Sequence, residues 1–340
     1  MEFKENLLKL SSLTAVGNIT DAADFALSEL SKYADTKRIG NLNIVGEIKG
    51  KSDYTLLIDA HIDQIAMVVT DIDENGFLTV EKCGGIDIRT LPARPVTVHG
   101  KRDITAVFCS TPPHLSKGDK EYTDISEIKL DSMLSKNAKD IISVGDYVTY
   151  ASFPCEMLNN TISGKSLDDR AGVACILELA KRLKGKELPI SVAFLISDME
   201  ELGLRGARTA AYKINPNEAI AIDVSFGDGP DISPMDTGKV KGGAMIGISP
   251  VLSSDISGKL TVIAKEKEIP YQLEVMGGTT STNADVISVN REGVKTGLVS
   301  IPLRNMHTEV EILNIDDLLS VCDILENYIL SGGVLNAQNS

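Results

Sequence analysis

The chain of 340 residues has no tryptophan, and aromatic residues make up only 4% of it. Its core is therefore expected to be aliphatic, built mainly from Ile, Leu, Val and Ala. No stretch approaches the ~18 apolar residues of a membrane-spanning helix, and residues 1–10 lack the long apolar run of a signal peptide. These absences predict a globular, cytoplasmic protein that does not associate with membranes.

Basic residues are also scarce relative to acidic ones. The chain has 34 Lys and Arg against 48 Asp and Glu, which gives a net charge of −14. Nucleic-acid binding requires a basic face, and an anionic membrane surface attracts basic segments, so both partners are disfavoured.

The cysteines form no motif. Their number is odd, their spacing is scattered and no Cys-x-x-Cys occurs, which indicates free thiols in a reducing compartment. The five are Cys83, Cys109, Cys155, Cys175 and Cys322.

The chain contains two kinds of predicted secondary-structure pattern. Residues 67–161 contain short alternating segments separated by turn signals such as 74–76 and 83–85, with no strong helix before about 125–134. This pattern is typical of a small β-barrel or β-sandwich. The flanking parts alternate helix and strand, which predicts an α/β fold with a mostly parallel sheet and helices on both faces. We therefore expect an α/β domain formed by 1–66 and 162–340, with 67–161 inserted as a β-rich domain.

The α/β elements can be placed approximately from apolar periodicity. The predicted helices cover residues 7–13, 22–33, 170–183, 204–212, 251–267 and 315–329. The predicted strands cover residues 54–58, 190–196, 219–222, 271–274 and 297–301.

Adjacent acidic residues follow or precede several of these elements. Glu200 and Glu201 come directly after the apolar strand 190–196, and their charges repel each other unless a cation such as a metal ion offsets them. A solvated acidic turn is the simpler alternative. Asp168 and Asp169 stand where a helix begins, a position where a carboxylate also favours the helix dipole.

Two of the only four histidines lie just after predicted strands. His61 and Asp63 follow strand 54–58, and residues two apart on an extended segment point the same way, so Asp63 could orient a metal-binding His61. His307 follows strand 297–301, and Asp223 ends strand 219–222. Taken singly, these are a surface histidine, a loop histidine and a turn aspartate.

Taken together, these residues predict one site. Ligands of open α/β sheets bind outside the carboxyl ends of the strands, where His61, Glu200, Glu201, Asp223 and His307 are expected to meet. Several carboxylates with two imidazoles suit two divalent transition ions such as Zn²⁺, Co²⁺ or Mn²⁺. The other two histidines, His99 and His114, lie in the insertion and are not assigned to the site.

The order of these motifs resembles the co-catalytic metallopeptidases that act on chain ends. Three features resemble more specifically the glutamyl aminopeptidase or tetrahedral aminopeptidase family, whose members are sometimes labelled cellulase or endoglucanase. The large insertion lies between His61 and Asp168, and two runs match the family. These runs are Leu-Gly-Leu-Arg-Gly-Ala at 202–207 and Val-Ser-Ile-Pro-Leu-Arg-Asn-Met-His at 299–307.

The resemblance implies a fold, an activity and an assembly. It implies a zinc-peptidase-like α/β fold and an aminopeptidase that hydrolyses peptides with a free N-terminus. It also implies that the insertion helps to join subunits into dimers, and that the dimers build a hollow tetrahedral dodecamer.

The resemblance also implies residue roles. His61, Asp168 and Asp223 would hold one metal ion, and Asp168, Glu201 and His307 the other. Glu200 would be the general base and Asp63 would orient His61. A cis peptide bond would join Asp168 to Asp169.

Several positions depart from the family pattern without removing a proposed ligand or the base. Gln64 and Ala66 stand where Glu and Gly are frequent, Asn305 replaces an aromatic residue, and Asn283 stands where Asp is frequent. Two alternatives remain open: a related metal-dependent carboxypeptidase or amide deacylase, and a non-catalytic metal-binding scaffold. A preference for acidic N-terminal residues would require a cation in the substrate pocket, for which Arg304, Lys239 and Lys241 are candidates.

Overall fold

The structure of the protein is a computed structural model that describes residues 2–40, 43–115, 124–151, 153–230, 232–235 and 237–334. Within these ranges the chain forms eight α-helices. They are α1 (Glu2–Ser12), α2 (Asp21–Leu30), α3 (Ala138–Ile141), α4 (Leu167–Leu183), α5 (Arg205–Ile214), α6 (Ser254–Glu266), α7 (Asn283–Ser288) and α8 (Ile315–Leu330).

The same ranges contain seventeen strands, which belong to three sheets. They are β1 (Asp35–Ile39), β2 (Asn43–Ile48), β3 (Thr55–His61), β4 (Ala66–Ile72), β5 (Leu78–Cys83), β6 (Pro95–His99), β7 (Asp103–Phe108), β8 (Leu130–Asp131), β9 (Tyr147–Tyr150), β10 (Cys155–Met157), β11 (Thr161–Gly164), β12 (Ser191–Ser197), β13 (Glu218–Phe226), β14 (Ala244–Ile248), β15 (Tyr271–Val275), β16 (Lys295–Leu303) and β17 (Glu311–Asn314).

The main sheet has eight strands in the order β1-β2-β12-β3-β13-β16-β14-β15. Its central strands β12, β3, β13 and β16 run parallel, so their carboxyl ends meet at one edge. All seven residues of β12 are buried, as expected for a central strand covered on both faces. The predicted mostly parallel α/β sheet is confirmed.

Helices cover both faces of this sheet. On one face, α4 packs against β3 and β13, α6 against β14, and α8 against β16. On the other face, α5 packs against β12, and α7 against β13 and β16. The larger core lies on the first face and is mostly aliphatic, with Phe194 and Tyr328 among its few fully buried aromatic residues.

A closed barrel interrupts this domain between β3 and β11. Its six strands follow the order β4-β5-β8-β7-β6-β9, and its interior is a separate apolar cluster that includes Met67, Val98 and Phe108. The predicted β-rich insertion is thus a barrel. The helix expected near residues 125–134 is wrong, because a short 3-10 turn, Ile125–Glu127, and the two-residue strand β8 occupy that segment.

A third, three-stranded sheet has the order β10-β11-β17. Its strand β17 follows the His307 loop, and its strand β11 leads into α4, so it connects two segments that carry candidate ligands. No helix in the described ranges is long and apolar enough to cross a membrane.

Candidate metal centre

His61 is the last residue of β3, and its imidazole is 2% exposed. Its Nε2 lies 3.1 Å from Asp168 Oδ1, and its Nδ1 lies 3.4 Å from Asp63 Oδ1. The backbone N–H of His61 donates to Asp169 Oδ2 at 3.3 Å. The two ring nitrogens therefore face two carboxylates. Asp63, near Nδ1, can orient the ring, and Asp168, near Nε2, can bind the same metal ion as His61.

Asp63 also holds the loop after β12. Its Oδ1 accepts a hydrogen bond from the backbone N–H of Glu200 at 3.0 Å, and its Oδ2 accepts one from Glu201 at 3.2 Å. One buried carboxylate thus contacts both the imidazole of His61 and the backbone of the two glutamates. These hydrogen bonds connect the segments that follow the neighbouring strands β3 and β12.

Asp168 lies at the start of α4, where the backbone is not yet helical and a cis peptide bond joins it to Asp169. Asp169 is fully buried, and its Oδ1 accepts from the N–H of Gly172 at 2.9 Å. The two aspartates therefore differ in role. The Asp169 carboxylate accepts hydrogen bonds from backbone N–H groups, whereas the Asp168 carboxylate faces the imidazoles.

Asp168 lies between two histidines. His61 Nε2 is 3.1 Å from its Oδ1, and His307 Nε2 is 3.2 Å from its Oδ2. His307 Nε2 is also 3.4 Å from Glu201 Oε1, and ligand atoms of His61, Asp168 and Glu201 all lie within 4.8 Å of one another. One carboxylate thus presents each of its oxygens to a different imidazole.

Asp223 approaches the same ring nitrogen of His61 as Asp168 does, with its Oδ1 4.0 Å from His61 Nε2. It was expected to end its strand, but β13 continues to Phe226 because it remains paired with β16 as far as Leu303. The structure therefore brings all the sequence-predicted ligands and Glu200 to the carboxyl edge of the sheet. His99 stays apart in the barrel, where it contacts Asp103 and Thr149.

The carboxylates and imidazoles of the site shift one another's pKa values. Burial raises the pKa of Glu201 to about 8, and the nearby Asp168 carboxylate adds to this shift. Burial also opposes charge on Asp168, but hydrogen bonds with His307 and His61 outweigh it and hold the Asp168 pKa below its ordinary value. Burial works against charge on His307, whereas its contact with Asp168 raises its pKa to about 9.

These shifts fit the chemistry of a metal site. Carboxylates and imidazoles share protons here, and divalent ions would replace those protons because metal ligands must be deprotonated. Oxygen and imidazole nitrogen donors together suit transition ions such as zinc. The donor set therefore fits metal binding.

Two supporting residues were missed by sequence reasoning. The fully buried carboxylate of Glu311 accepts from the backbone N–H groups of His307 at 2.8 Å and of Leu167 at 2.6 Å. The carbonyl oxygen of Gly85 accepts from His307 Nδ1 at 3.0 Å, which leaves Nε2 without a proton when the ring is neutral. Glu311 lies only four residues after His307, but its role depends on a contact with the start of α4.

Gly85 also shows why glycine occupies its position. A Cβ atom there would lie 2.4 Å from His307 Nδ1, closer than non-bonded atoms approach. Gly85 follows β5 of the barrel, so the insertion contributes directly to the orientation of a candidate ligand. The sequence of residues 83–85 by itself predicts only a turn.

Gln64, one of the departures from the family pattern, lies between two buried cations. Its Oε1 accepts from Lys165 Nζ at 3.1 Å and from Arg170 Nη2 at 3.3 Å. Arg170 Nη1 also donates to the carbonyl of Leu10 at 2.7 Å. Gln64 therefore joins α1, the end of β3 and α4 behind the candidate ligands and is not one of them.

The family model described as M42 glutamyl aminopeptidase matches residues 42–324. The chain belongs to this family. It is therefore a metal-dependent aminopeptidase, a hydrolase of peptide bonds, as the resemblance of its motifs implied.

Individual relatives agree with this assignment. The lysyl aminopeptidase of Pyrococcus furiosus is 31% identical over 304 residues, which cover 86% of this chain and 86% of the relative. The aminopeptidase APDkam598 of the archaeon Desulfurococcus kamchatkensis has a similar structure, with a TM-score of 0.91, 30% identity, and coverage of 97% of this chain and 95% of the other.

A third comparison bears on assembly. The Pyrococcus horikoshii TET1 peptidase, which can assemble into a tetrahedron or a large octahedral shell, superposes with a TM-score of 0.85 at 30% identity. The match covers 96% of this chain and 99% of that one.

Proposed function

We propose that the protein uses two divalent metal ions to remove N-terminal residues from short or unfolded peptides. The observation that carries this proposal is the position of Asp168, whose two carboxylate oxygens lie 3.1 and 3.2 Å from the Nε2 atoms of His61 and His307. A carboxylate between two imidazoles has the geometry expected of a bridging ligand. His61, Asp168 and Asp223 would hold one ion, and Asp168, Glu201 and His307 the other.

The ions would be Zn²⁺ or Co²⁺, with Mn²⁺ as a further candidate, because oxygen and imidazole donors suit these metals. When bound, they would polarise the carbonyl of the first peptide bond and lower the pKa of a water molecule. Side chains of the protein would carry out the proton transfers.

Glu200 is proposed as the general base. Its carboxylate lines the same cavity as Asp168, Asp223 and His307, and Asp63 holds its backbone. Burial raises its pKa, and the negative charges of Asp168 and Asp63 add to the shift, which suits a group that accepts a proton near neutral pH. Glu200 would take a proton from water as the water oxygen attacks the carbonyl carbon. It would then give that proton to the nitrogen as the C–N bond breaks.

We also propose that the insertion, residues 67–161, joins subunits into dimers that build a dodecamer. The proposal is supported by large apolar side chains that are exposed within residues 67–161, including Phe153 (91%), Leu158 (86%) and Met133 (83%). Exposed apolar surface of this kind commonly marks a protein–protein contact. An enclosed assembly would restrict access to short or unfolded peptides.

The test is metal-dependent hydrolysis by the protein. The protein would be stripped with a chelator, reloaded separately with Zn²⁺, Co²⁺ or Mn²⁺, and assayed on aminoacyl anilides and on N-acetylated amino acids. We expect hydrolysis of the former only, lost with the chelator and restored by metal. Hydrolysis of N-acetylated amino acids alone would instead support the deacylase alternative.

The proposed base is tested by Glu200→Gln, with Glu266→Gln as the control at an exposed position on α6. Glu200→Gln should bind as much metal as the parent and lose about 10²- to 10⁴-fold in turnover, whereas the control should match the parent. Parent-level hydrolysis by Glu200→Gln would show that the base is another group.

A further inference from the structure

A cavity of about 820 Å³ extends from the candidate metal centre along the sheet. Candidate ligands Asp168, Glu201, Asp223 and His307 line one part of it. Much of the remaining wall is apolar. The apolar side chains include Phe226, Met245, Leu273, Val275, Met276 and Leu298.

Among the described residues that line the cavity there is no lysine or arginine, and the imidazole of His307 belongs to the proposed metal centre. The three cations considered for an acidic substrate lie elsewhere. Arg304 donates to the Asp228 carboxylate at 2.7 Å, and neither Lys239 nor Lys241 lines the cavity. An acidic side chain of a substrate would therefore enter without a charge partner from this wall, which is unfavourable in a partly desolvated site.

Glu274 on β15, a carboxylate that is not one of the proposed ligands, also lines the cavity. It accepts a hydrogen bond from the hydroxyl of Ser225, and its Oε2 accepts another from Ser300 Oγ at 2.6 Å. Two neutral hydroxyl donors orient this carboxylate but do not cancel its charge. Burial raises its pKa, and both serines oppose that shift.

The strand register places Glu274 close to the proposed metal ligands. Ser225 is two residues beyond Asp223 on β13, so both side chains point to the same face about 6–7 Å apart. Ser300 on β16 is the register partner of Asp223. The carboxylate of Glu274 is thus hydrogen-bonded to the register partner of Asp223, one of the proposed ligands.

We propose that this cavity selects peptides whose N-terminal residue is lysine or arginine, and that Glu274 is the residue that determines this specificity. The proposal rests on the proposed aminopeptidase function and names its substrate class. The alkyl part of the substrate side chain packs against the apolar wall, and its terminal cation pairs with Glu274. Ser225 and Ser300 keep the carboxylate in place, so they are positioning residues.

The first experiment measures kcat/KM of the metal-loaded parent, Glu274→Gln and the control Glu266→Gln. The substrates are lysyl, arginyl, methionyl and glutamyl anilides. The parent should prefer lysyl and arginyl substrates. Glu274→Gln should lower kcat/KM for these two by about 10- to 100-fold, as expected for loss of a charged hydrogen bond, and leave the methionyl substrate within about 3-fold. The control should retain the preference of the parent.

The second experiment measures binding without turnover. L-lysinamide and L-methioninamide would be titrated calorimetrically into metal-loaded Glu200→Gln and into the double variant that also carries Glu274→Gln. Tighter binding of L-lysinamide that disappears in the double variant supports the proposal, even if the protein hydrolyses no anilide and the proposed function fails.

Other outcomes overturn the inference. An equal loss for all substrates in Glu274→Gln would mean that Glu274 contacts the common α-amine or supports the fold. A parent that hydrolyses methionyl or glutamyl substrates in preference to lysyl and arginyl ones would disprove the specificity while leaving the aminopeptidase function intact. Equal binding of the two amides would do the same.

Discussion

Asp63 accepts a hydrogen bond from the backbone N–H of Glu200 at 3.0 Å, across the gap between the ends of β3 and β12. The same carboxylate contacts the Nδ1 atom of His61 at 3.4 Å and the backbone of Glu201 at 3.2 Å. A single side chain therefore controls the placement of a candidate ligand, a second ligand and the proposed base. Residues that orient metal ligands in this way commonly affect metal binding as strongly as some ligands do.

Replacing Asp63 by Asn should disturb all three groups. An amide keeps the shape of the side chain, but only its oxygen can accept, so the N–H of Glu200 or of Glu201 loses its partner. We expect metal affinity or kcat to fall about 10- to 100-fold, and the free energy of unfolding to fall by about 1–3 kcal/mol. Metal titration, kinetics and chemical denaturation measure these effects. Asp71→Asn, at an exposed position on β4, is the matched control, and equal behaviour of the two variants would contradict the role of Asp63.

Asp168→Ala and Asp223→Ala should differ in metal content. Removing Asp168 takes a ligand from both proposed ions, whereas removing Asp223 takes one from a single ion. Elemental analysis after equilibration with limiting Zn²⁺ should therefore find neither ion retained in Asp168→Ala and about one ion per subunit in Asp223→Ala. Two ions bound to Asp168→Ala would disprove the bridge.

Gly85→Ala should displace His307. The new Cβ would lie 2.4 Å from His307 Nδ1, so either the imidazole or the barrel loop must move. We expect metal affinity to fall at least about 10-fold, as for loss of an orienting contact. The control is Gly258→Ala on α6, where a Cβ meets no atom within 4 Å. It should keep full activity and raise stability by up to about 1 kcal/mol. Unchanged metal binding in Gly85→Ala would show that the loop adapts without affecting His307.

Light scattering on the purified protein should give a mass of about twelve subunits of 36.5 kDa. Replacing Phe153 and Leu158 together by Glu should reduce this mass, because charged side chains would oppose burial of the exposed apolar surface. A monomeric parent protein would contradict the proposed assembly. An unaltered mass of the double variant would show that the subunits meet through another surface.

The success of sequence reasoning followed the strength of the local signal. The apolar run of β12 and the long amphipathic helices α4 and α8 were placed to within a few residues, because burial of one stripe or of a whole strand imposes a clear pattern. Strands β1, β2 and β14 of the main sheet and the short helix α7 were missed. The edge strand β1, Asp-Thr-Lys-Arg-Ile, is largely polar, and its pairing with β2 is a tertiary choice.

Some residues of the candidate site could be predicted from the sequence, and others could not. His61, Glu201, Asp223 and His307 could be named because imidazoles and carboxylates after parallel strands converge at one edge of the sheet. The role of Asp168, at the start of a helix, was implied by the resemblance to the family. Glu311, Gly85 and Glu274 could not be named, because the role of each depends on at least one contact with a group distant in sequence. Gly85 reaches His307 across 222 positions, and no local pattern in the sequence marks such a pair.

The sequence by itself determined the fold class, the β-rich insertion and the residues able to hold metal, since these depend on periodicity and on the chemical types of side chains. Only the tertiary structure decided how those residues face one another. It placed Asp168 between His61 and His307, and it placed Glu274 in a cavity whose described wall lacks lysine and arginine. Both results depend on distances between strands and loops, which arise only when the chain packs.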